Sequence, residues 1–182
     1  MTLVEMITTF ALIGIFMVAA TRMISYVIGI YYAASGNSYG LQVSGIISSK
    51  VIGQIEGACN AQAPVVSISE NGIGQIYFAD ATGSYVTITA QPLKDGNEEQ
   101  NYLTIHYDQV TEGTIKYDAV DWRFDPGVYM GYYVKNLEFE NPGADYPENV
   151  LRMILTLHHE RYGDYVSTYY VKCSNVGEIQ YK

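Results

Sequence analysis

The chain has 182 residues, 48% of them hydrophobic and 16% charged, with a formal net charge of −9. That length holds one domain with an appendage or one large domain. The acidic balance has no Lys/Arg cluster to interrupt it, which argues against DNA or RNA as a main partner, because nucleic acid calls for several phosphate-facing cations.

The mean hydropathy of +0.02 is high for a freely soluble globule, and the excess is local. From Met6 to Ser49 the only charged side chain is Arg22, and every carboxylate except Glu5 lies at Glu56 or beyond. Met6 to Ala20 reads MITTFALIGIFMVAA, and MISYVIGIYYAA follows Thr21 and Arg22. A bilayer core of about 30 Å needs about 20 helical residues. The first run alone is slightly short; the two together are ample, provided Arg22 snorkels or finds a partner. Leu3, Val4, Phe10, Leu12, Ile13, Ile15, Phe16 and Val18 are the residues expected to face lipid or a filament core. A signal peptide fits poorly, because an acid rather than a positive segment precedes the apolar run and no A-x-A site with a polar follow-on closes that run. A buried core helix fits poorly too, because the run is apolar on all faces. A plain membrane anchor remains open.

Glu5 is the informative residue. A carboxylate at the mouth of an apolar helix is costly unless paired or protonated, at about 2.5–3.5 kcal/mol on insertion scales. Locally it faces the positive end of the helix dipole, worth about 0.3–1 kcal/mol, and the nearest cation is the chain's own α-amino group if Met1 is a true N-terminus. In an assembly, Glu5 of one subunit would instead meet the α-amino group of a neighbour and fix axial register, since a slip would leave both charges unpaired. Met1-Thr2-Leu3-Val4-Glu5 followed by the apolar run resembles the mature N-terminus of type IV pilins and pseudopilins, over roughly the first 25 residues. In that family a prepilin peptidase cuts after a glycine, and the new first residue, usually Phe and sometimes Met, is N-methylated. The resemblance implies that Met1 is the processed and methylated residue, that Glu5 is the assembly glutamate, and that subunits polymerise into a helical filament with the aid of pilus assembly machinery after residing in the membrane. Many pilins carry a proline near position 22; here that position is Arg22, and no proline precedes Pro64.

Ser35-Gly36-Asn37-Ser38-Tyr39-Gly40 is a cluster of helix breakers and predicts an interruption. Leu41 to Ile55 then predicts a second helical half, with Leu41, Ile47, Val51 and Ile55 at helical spacing and Val43, Ile46 and Ile52 widening the face. Beyond Val65 the pattern turns to period two. Strands are predicted at Val65–Ser69, Gln75–Ala79, Tyr85–Ala90, Tyr102–Tyr107, Thr114–Val120, Val134–Phe139, Leu151–His158 and Tyr165–Cys173, rich in Tyr, Val, Ile and Thr. Turn signals stand at Asn71-Gly72, Thr82-Gly83, Glu112-Gly113 and Tyr162-Gly163-Asp164, the last joining two long strands as a hairpin. The expected fold is α+β: residues 1–34 as a transmembrane or filament-core helix, 35–57 as a second half packing on the head, and 58–182 as an antiparallel β-rich head.

Cys59 and Cys173 lie far apart in sequence, at the end of the helix and the end of the last predicted strand. In an oxidising compartment they would form one bridge, typically worth about 2–4 kcal/mol; two buried free thiols are the alternative. Neither belongs to a C-x-x-C pair, so redox catalysis and zinc binding have no support.

No catalytic constellation is present: no G-x-S-x-G elbow, phosphate loop or H-E-x-x-H. No enzyme activity, cofactor or metal site is expected. His158-His159-Glu160 is metal-like by composition, but adjacent strand residues point to opposite faces. The oxygen-rich stretch Asp95–Asn101 invites comparison with calcium loops of some pseudopilins but lacks EF-hand spacing; Asp118, Asp121 and Asp125 around Trp122 invite the same remark. The 18 tyrosines, including the pairs Tyr31-Tyr32, Tyr132-Tyr133 and Tyr169-Tyr170, suit half-buried strands, glycan or host-protein contact, or filament stiffening. The sequence thus points to a structural subunit of an extracellular type IV pilus at the cell surface. A secretion-system pseudopilin or minor pilin, or a single-pass membrane-anchored binding domain, are the alternatives. Adhesion, motility and DNA uptake would be properties of the whole filament.

Overall fold

The computed structural model describes residues 2–69, 72–95, 98–112, 115–125 and 127–182. A single helix, α1 (Leu3–Glu56), runs 54 residues without interruption. Its start is fixed by Thr2, whose side chain accepts from the Glu5 backbone N–H while the Glu5 carboxylate accepts from the Thr2 N–H, a reciprocal capping box. It ends at Gly57, whose N–H bonds the Gln54 carbonyl at 3.2 Å.

The helix has two regimes. From Thr2 to Ser35 no residue is buried. From Gly36 onward one stripe is buried: Gly36, Gly40, Val43, Ser44, Ile47, Ser48, Val51 and Ile55. The spacing of three and four is that of one helix face. The expected interruption at Ser35–Gly40 is therefore corrected. A Cβ on Gly36 would come within 2.8 Å of the Tyr162 Cβ, and one on Gly40 within 2.6 Å of the Tyr165 Cγ. These glycines weaken the helix by about 1 kcal/mol each relative to alanine, and they let two tyrosine-bearing positions of the sheet approach its backbone. Leu41 and Ile46, expected on the packing face, are instead 61% and 56% exposed.

The remainder is β-structure: β1 (Val65–Ile68), β2 (Gly74–Ala79), β3 (Tyr85–Asp95), β4 (Glu98–Tyr107), β5 (Val110–Glu112), β6 (Ile115–Tyr117), β7 (Val120–Arg123), β8 (Tyr133–Glu140), β9 (Val150–His159), β10 (Gly163–Lys172) and β11 (Gln180–Tyr181). Six of these form a sheet in the order β11-β1-β2-β3-β4-β7; β10-β9-β8 form a second sheet, and β5-β6 a separate hairpin. All pairings are antiparallel except β1 with β11. The fold is thus α+β as expected, with the head's strands divided between sheets and one parallel edge pair. The predicted Thr114–Val120 strand resolves into β6 and β7, with Thr114 itself outside the described residues, and β5 and β11 had no counterpart in the period-two pattern.

α1 lies against β10 and β9. Its last turns also reach the larger sheet, where the Tyr107 hydroxyl donates to Gln54 Oε1 at 3.1 Å and the Lys50 ammonium sits 5.0 Å from the Trp122 ring centroid. The sheets meet where β2 abuts β8: a Cβ on Gly74 would fall 2.6 Å from the Leu137 carbonyl oxygen. One core results, containing Val43, Ile47, Val51 and Ile55 of the helix with Phe78, Ile88, Ile105, Leu137, Leu155 and Leu157 of the strands. Gly83 (φ 82) and Gly163 (φ 79) occupy the predicted turns in the left-handed region, where a side chain is disfavoured. Gly163 opens β10 directly after the tip, so the β9–β10 hairpin pairs in full register from Gly163↔His159 to Lys172↔Val150.

Candidate functional site

The free half of α1 carries the residues expected to work in lipid or in an assembly. Leu3, Val4, Phe10, Leu12, Ile13, Ile15, Phe16 and Val18 are all at least half exposed, from 50% at Ile13 to 78% at Leu3. An apolar window of this helix has the length and composition to cross a membrane, and none of that window is buried. The helix runs unbroken from these side chains into the head, with no proline or unpaired turn before Glu56.

At the tip, the Thr2 N–H donates to Glu5 Oε2 at 2.7 Å and the Glu5 N–H donates to Thr2 Oγ1 at 3.4 Å. Glu5 is therefore engaged by its own chain. Met1 lies outside the described residues. Arg22 is exposed on the helix and, among the described residues, takes part in no ion pair. The structure does not bring it to Glu5: 17 residues of helix separate them, about 25 Å.

Where the helix leaves the head, the tip of the β9–β10 hairpin grips it. The Arg161 guanidinium lies 4.4 Å from the Tyr32 ring centroid and donates to the Tyr32 hydroxyl. Tyr162 packs on Gly36 and its ring centroid is 5.9 Å from that of Tyr39. The Tyr132 hydroxyl donates to the Gly36 carbonyl at 2.9 Å, and His159 stands between the rings of Tyr132 and Tyr162 at 4.9 and 4.6 Å. Higher up, buried Ser44 bonds the Ser167 hydroxyl at 2.5 Å and the Tyr169 hydroxyl at 3.0 Å. Sequence reasoning missed this seam. Its signal was a four-residue spacing of small residues, Gly36, Gly40, Ser44 and Ser48.

The other candidates disperse. His158 bonds Asp164, which also pairs with Lys135; hydrogen bonds from His158 and then Lys135 hold the Asp164 carboxyl below its ordinary value. His159 points to the aromatic cluster instead, as alternation requires. Asp121 accepts from His106 at 2.5 Å and from Arg123 at 3.1 Å, and these partners, His106 foremost, hold it below the ordinary carboxylate value. Asp125 Oδ1 accepts from the Gly127 N–H at 2.7 Å, a local turn. Of the stretch Asp95–Asn101, Gly96 and Asn97 lie outside the described residues, and the rest belongs to β3 and β4. Among the described residues no group of three His, Cys, Asp or Glu side chains could hold a metal ion.

Both cysteines are free thiols in this structure. Cys59 Sγ lies 3.0 Å from the Asp80 carbonyl oxygen, and its backbone bridges Asn175, two residues beyond Cys173. The segments carrying the two cysteines therefore adjoin, although the expected bridge is not formed. The Tyr pairs alternate: Tyr132 is buried with Tyr133 half-buried beside His158, and Tyr169 faces the helix while Tyr170 is exposed and stacked on Tyr146 at 5.0 Å. Comparison of the chain with protein-family models, with curated proteins and with solved structures gives no match.

Proposed function

We propose that this chain is a filament subunit of the type IV pilin kind, held first in a membrane by the free half of α1 and then polymerised through it, with the β-rich head outside. The observation that carries the reading is the unburied apolar half-helix. Eighteen large apolar side chains from Leu3 to Tyr31 are exposed. At about 1.5–3 kcal/mol for each such side chain covered, tens of kcal/mol favour removing them from water. A bilayer does so for a single chain, and the facing helices of neighbouring copies do so in a filament. Glu5 and the Met1 amine supply the polar contact that sets register between copies, in the resemblance's terms. The cysteines belong to this reading as a bridge formed after export, to be sought by peptide mapping without reductant.

Mass spectrometry of intact protein sheared from the cell surface tests it. An abundant species beginning at Met1 with one added methyl group is expected. A longer, unmethylated species confined to membranes, with no filament, overturns it. The single-pass anchored binding domain is the second reading, favoured by one observation: Glu5 is already engaged by Thr2 of its own chain. Copy number in purified filaments separates a main subunit from a pseudopilin or minor pilin.

A further inference from the structure

The grip of the β9–β10 hairpin on α1 lies at a telling height. From Leu3 to Tyr32 the helix rises about 44 Å at about 1.5 Å per residue. A bilayer measures about 30 Å across its hydrocarbon and about 40–45 Å with its headgroup layers. With Leu3 at one boundary, Tyr31 and Tyr32 fall in the opposite headgroup layer, where amphipathic rings of Tyr are favoured. At that same level the head presents Arg161 over Tyr32, while Tyr162, packed on Gly36, and Tyr39 lie about 6 and 10 Å further along the helix, above the headgroup layer.

We propose that this collar of Tyr31, Tyr32 and Arg161 is a docking surface for the phospholipid headgroup layer, which seats the head on the membrane before assembly. The rings provide an apolar body with a hydroxyl in the wet layer. Arg161 gives one of its N–H donors to Tyr32 and has others to offer a lipid phosphate, to which a guanidinium is well matched. The competing placement puts the boundary at Arg22, since Leu3 to Arg22 covers about 30 Å; it would lift the collar about 15 Å clear of the hydrocarbon and leave Met23 to Tyr31 in water. Seating at the collar removes those side chains from water as well. Its cost is Arg22, which must snorkel from within the apolar layer, at about 2.5–3.5 kcal/mol. The bare apolar stretch carries five large aliphatic side chains, Met23, Ile24, Val27, Ile28 and Ile30, each 47–71% exposed, so covering them outweighs it.

The proposal rests on the membrane stage of the function proposed above, and the test separates the two. Full-length chain is reconstituted into phosphatidylcholine vesicles brominated near the top of the acyl chains. Tyr31→Trp reports the helix and Glu160→Trp the exposed hairpin tip. The native Trp122, held by Lys50 18 residues past Tyr32, is the reference above the membrane. Both new tryptophans are expected to lose most of their emission relative to unbrominated vesicles, with Trp122 unaffected. If the chain resists alkaline carbonate extraction but either new tryptophan keeps its emission, the collar is not seated and only this proposal falls. If carbonate releases the chain, the membrane stage fails and the collar with it.

Discussion

Gly40 lies directly under the ring of Tyr165, so closely that a Cβ there would stand 2.6 Å from the ring Cγ. The contact turns a residue of poor helix propensity into the point where helix and sheet meet. Gly40→Ala is expected to destabilise the head by about 1–3 kcal/mol, the usual cost of overpacking, despite a helix-propensity gain of about 1 kcal/mol. Gly45 and Gly53 have nothing within 4 Å of a built Cβ, so Gly45→Ala or Gly53→Ala should stabilise by about 0.5–1 kcal/mol. Urea denaturation of the detergent-solubilised chain reads both signs; a stabilised Gly40→Ala would show that the seam yields.

That contact also explains where the sequence was opaque. Ser35–Gly40 has the composition of a break, and local propensity alone gives a break. The helix continues because the cost of its glycines is offset by tertiary packing that only the fold brings to them. Leu41 and Ile46 fit a helical stripe by spacing, but the buried face runs through Gly40, Ser44 and Ser48 instead, and an apolar pattern does not weigh glycine and serine. What local rules govern was legible. The β9–β10 hairpin follows from alternation and a glycine turn, and the opposed directions of His158 and His159 follow from the pleat. β11, two residues pairing in parallel with β1, is set by long-range docking and leaves no period to read. At the candidate site the apolar run and the position of Glu5 were legible, whereas the hairpin grip on Tyr32 depends on residues 129 positions apart.

Ser44 is fully buried and holds both Ser167 and Tyr169 across the interface. Ser44→Ala leaves two hydroxyls short of a partner and should cost about 1–2 kcal/mol. Burial pushes the Tyr169 phenol up, but the hydroxyls of Ser44, Ser48 and Ser167 bring it below its ordinary value. The variant should therefore raise the Tyr169 pKa, read by NMR of ring-labelled tyrosine. An unmoved resonance would mean that Ser44 does not hold the phenol.

Cys173 is buried on the strand end, and burial, with Glu56 adding to it, pushes its thiol from 9.0 up to about 11. The folded state thus favours the neutral thiol. Its contribution is complete below pH 9 and is lost as pH rises toward about 11, by no more than about 2 kcal/mol. In reductant, stability of the wild type should fall over that window more steeply than that of Cys173→Ala. Parallel slopes would assign the alkaline loss to other groups.

Glu5 has two separable uses, and a single atom exchange tells them apart. In the isolated chain it completes the capping box with Thr2, a role that glutamine also fills, since its side-chain carbonyl accepts the Thr2 N–H at the loss of only about 0.3–1 kcal/mol of charge–dipole attraction. Between subunits its use is charge, which glutamine lacks. Glu5→Gln should therefore keep the helix start ordered, with amide exchange at Met6 rising by no more than about fivefold, yet lose filament incorporation because the neighbour's amine is left unpaired in an apolar core. Thr2→Ala should do the converse, fraying the first turn at about 0.5–2 kcal/mol while the carboxylate stays available to a neighbour. If Glu5→Gln assembles as wild type and Thr2→Ala does not, the glutamate serves its own helix rather than the assembly. The register role of the Glu5 charge would then fall, and assembly would rest on the apolar faces of the free half of α1 alone.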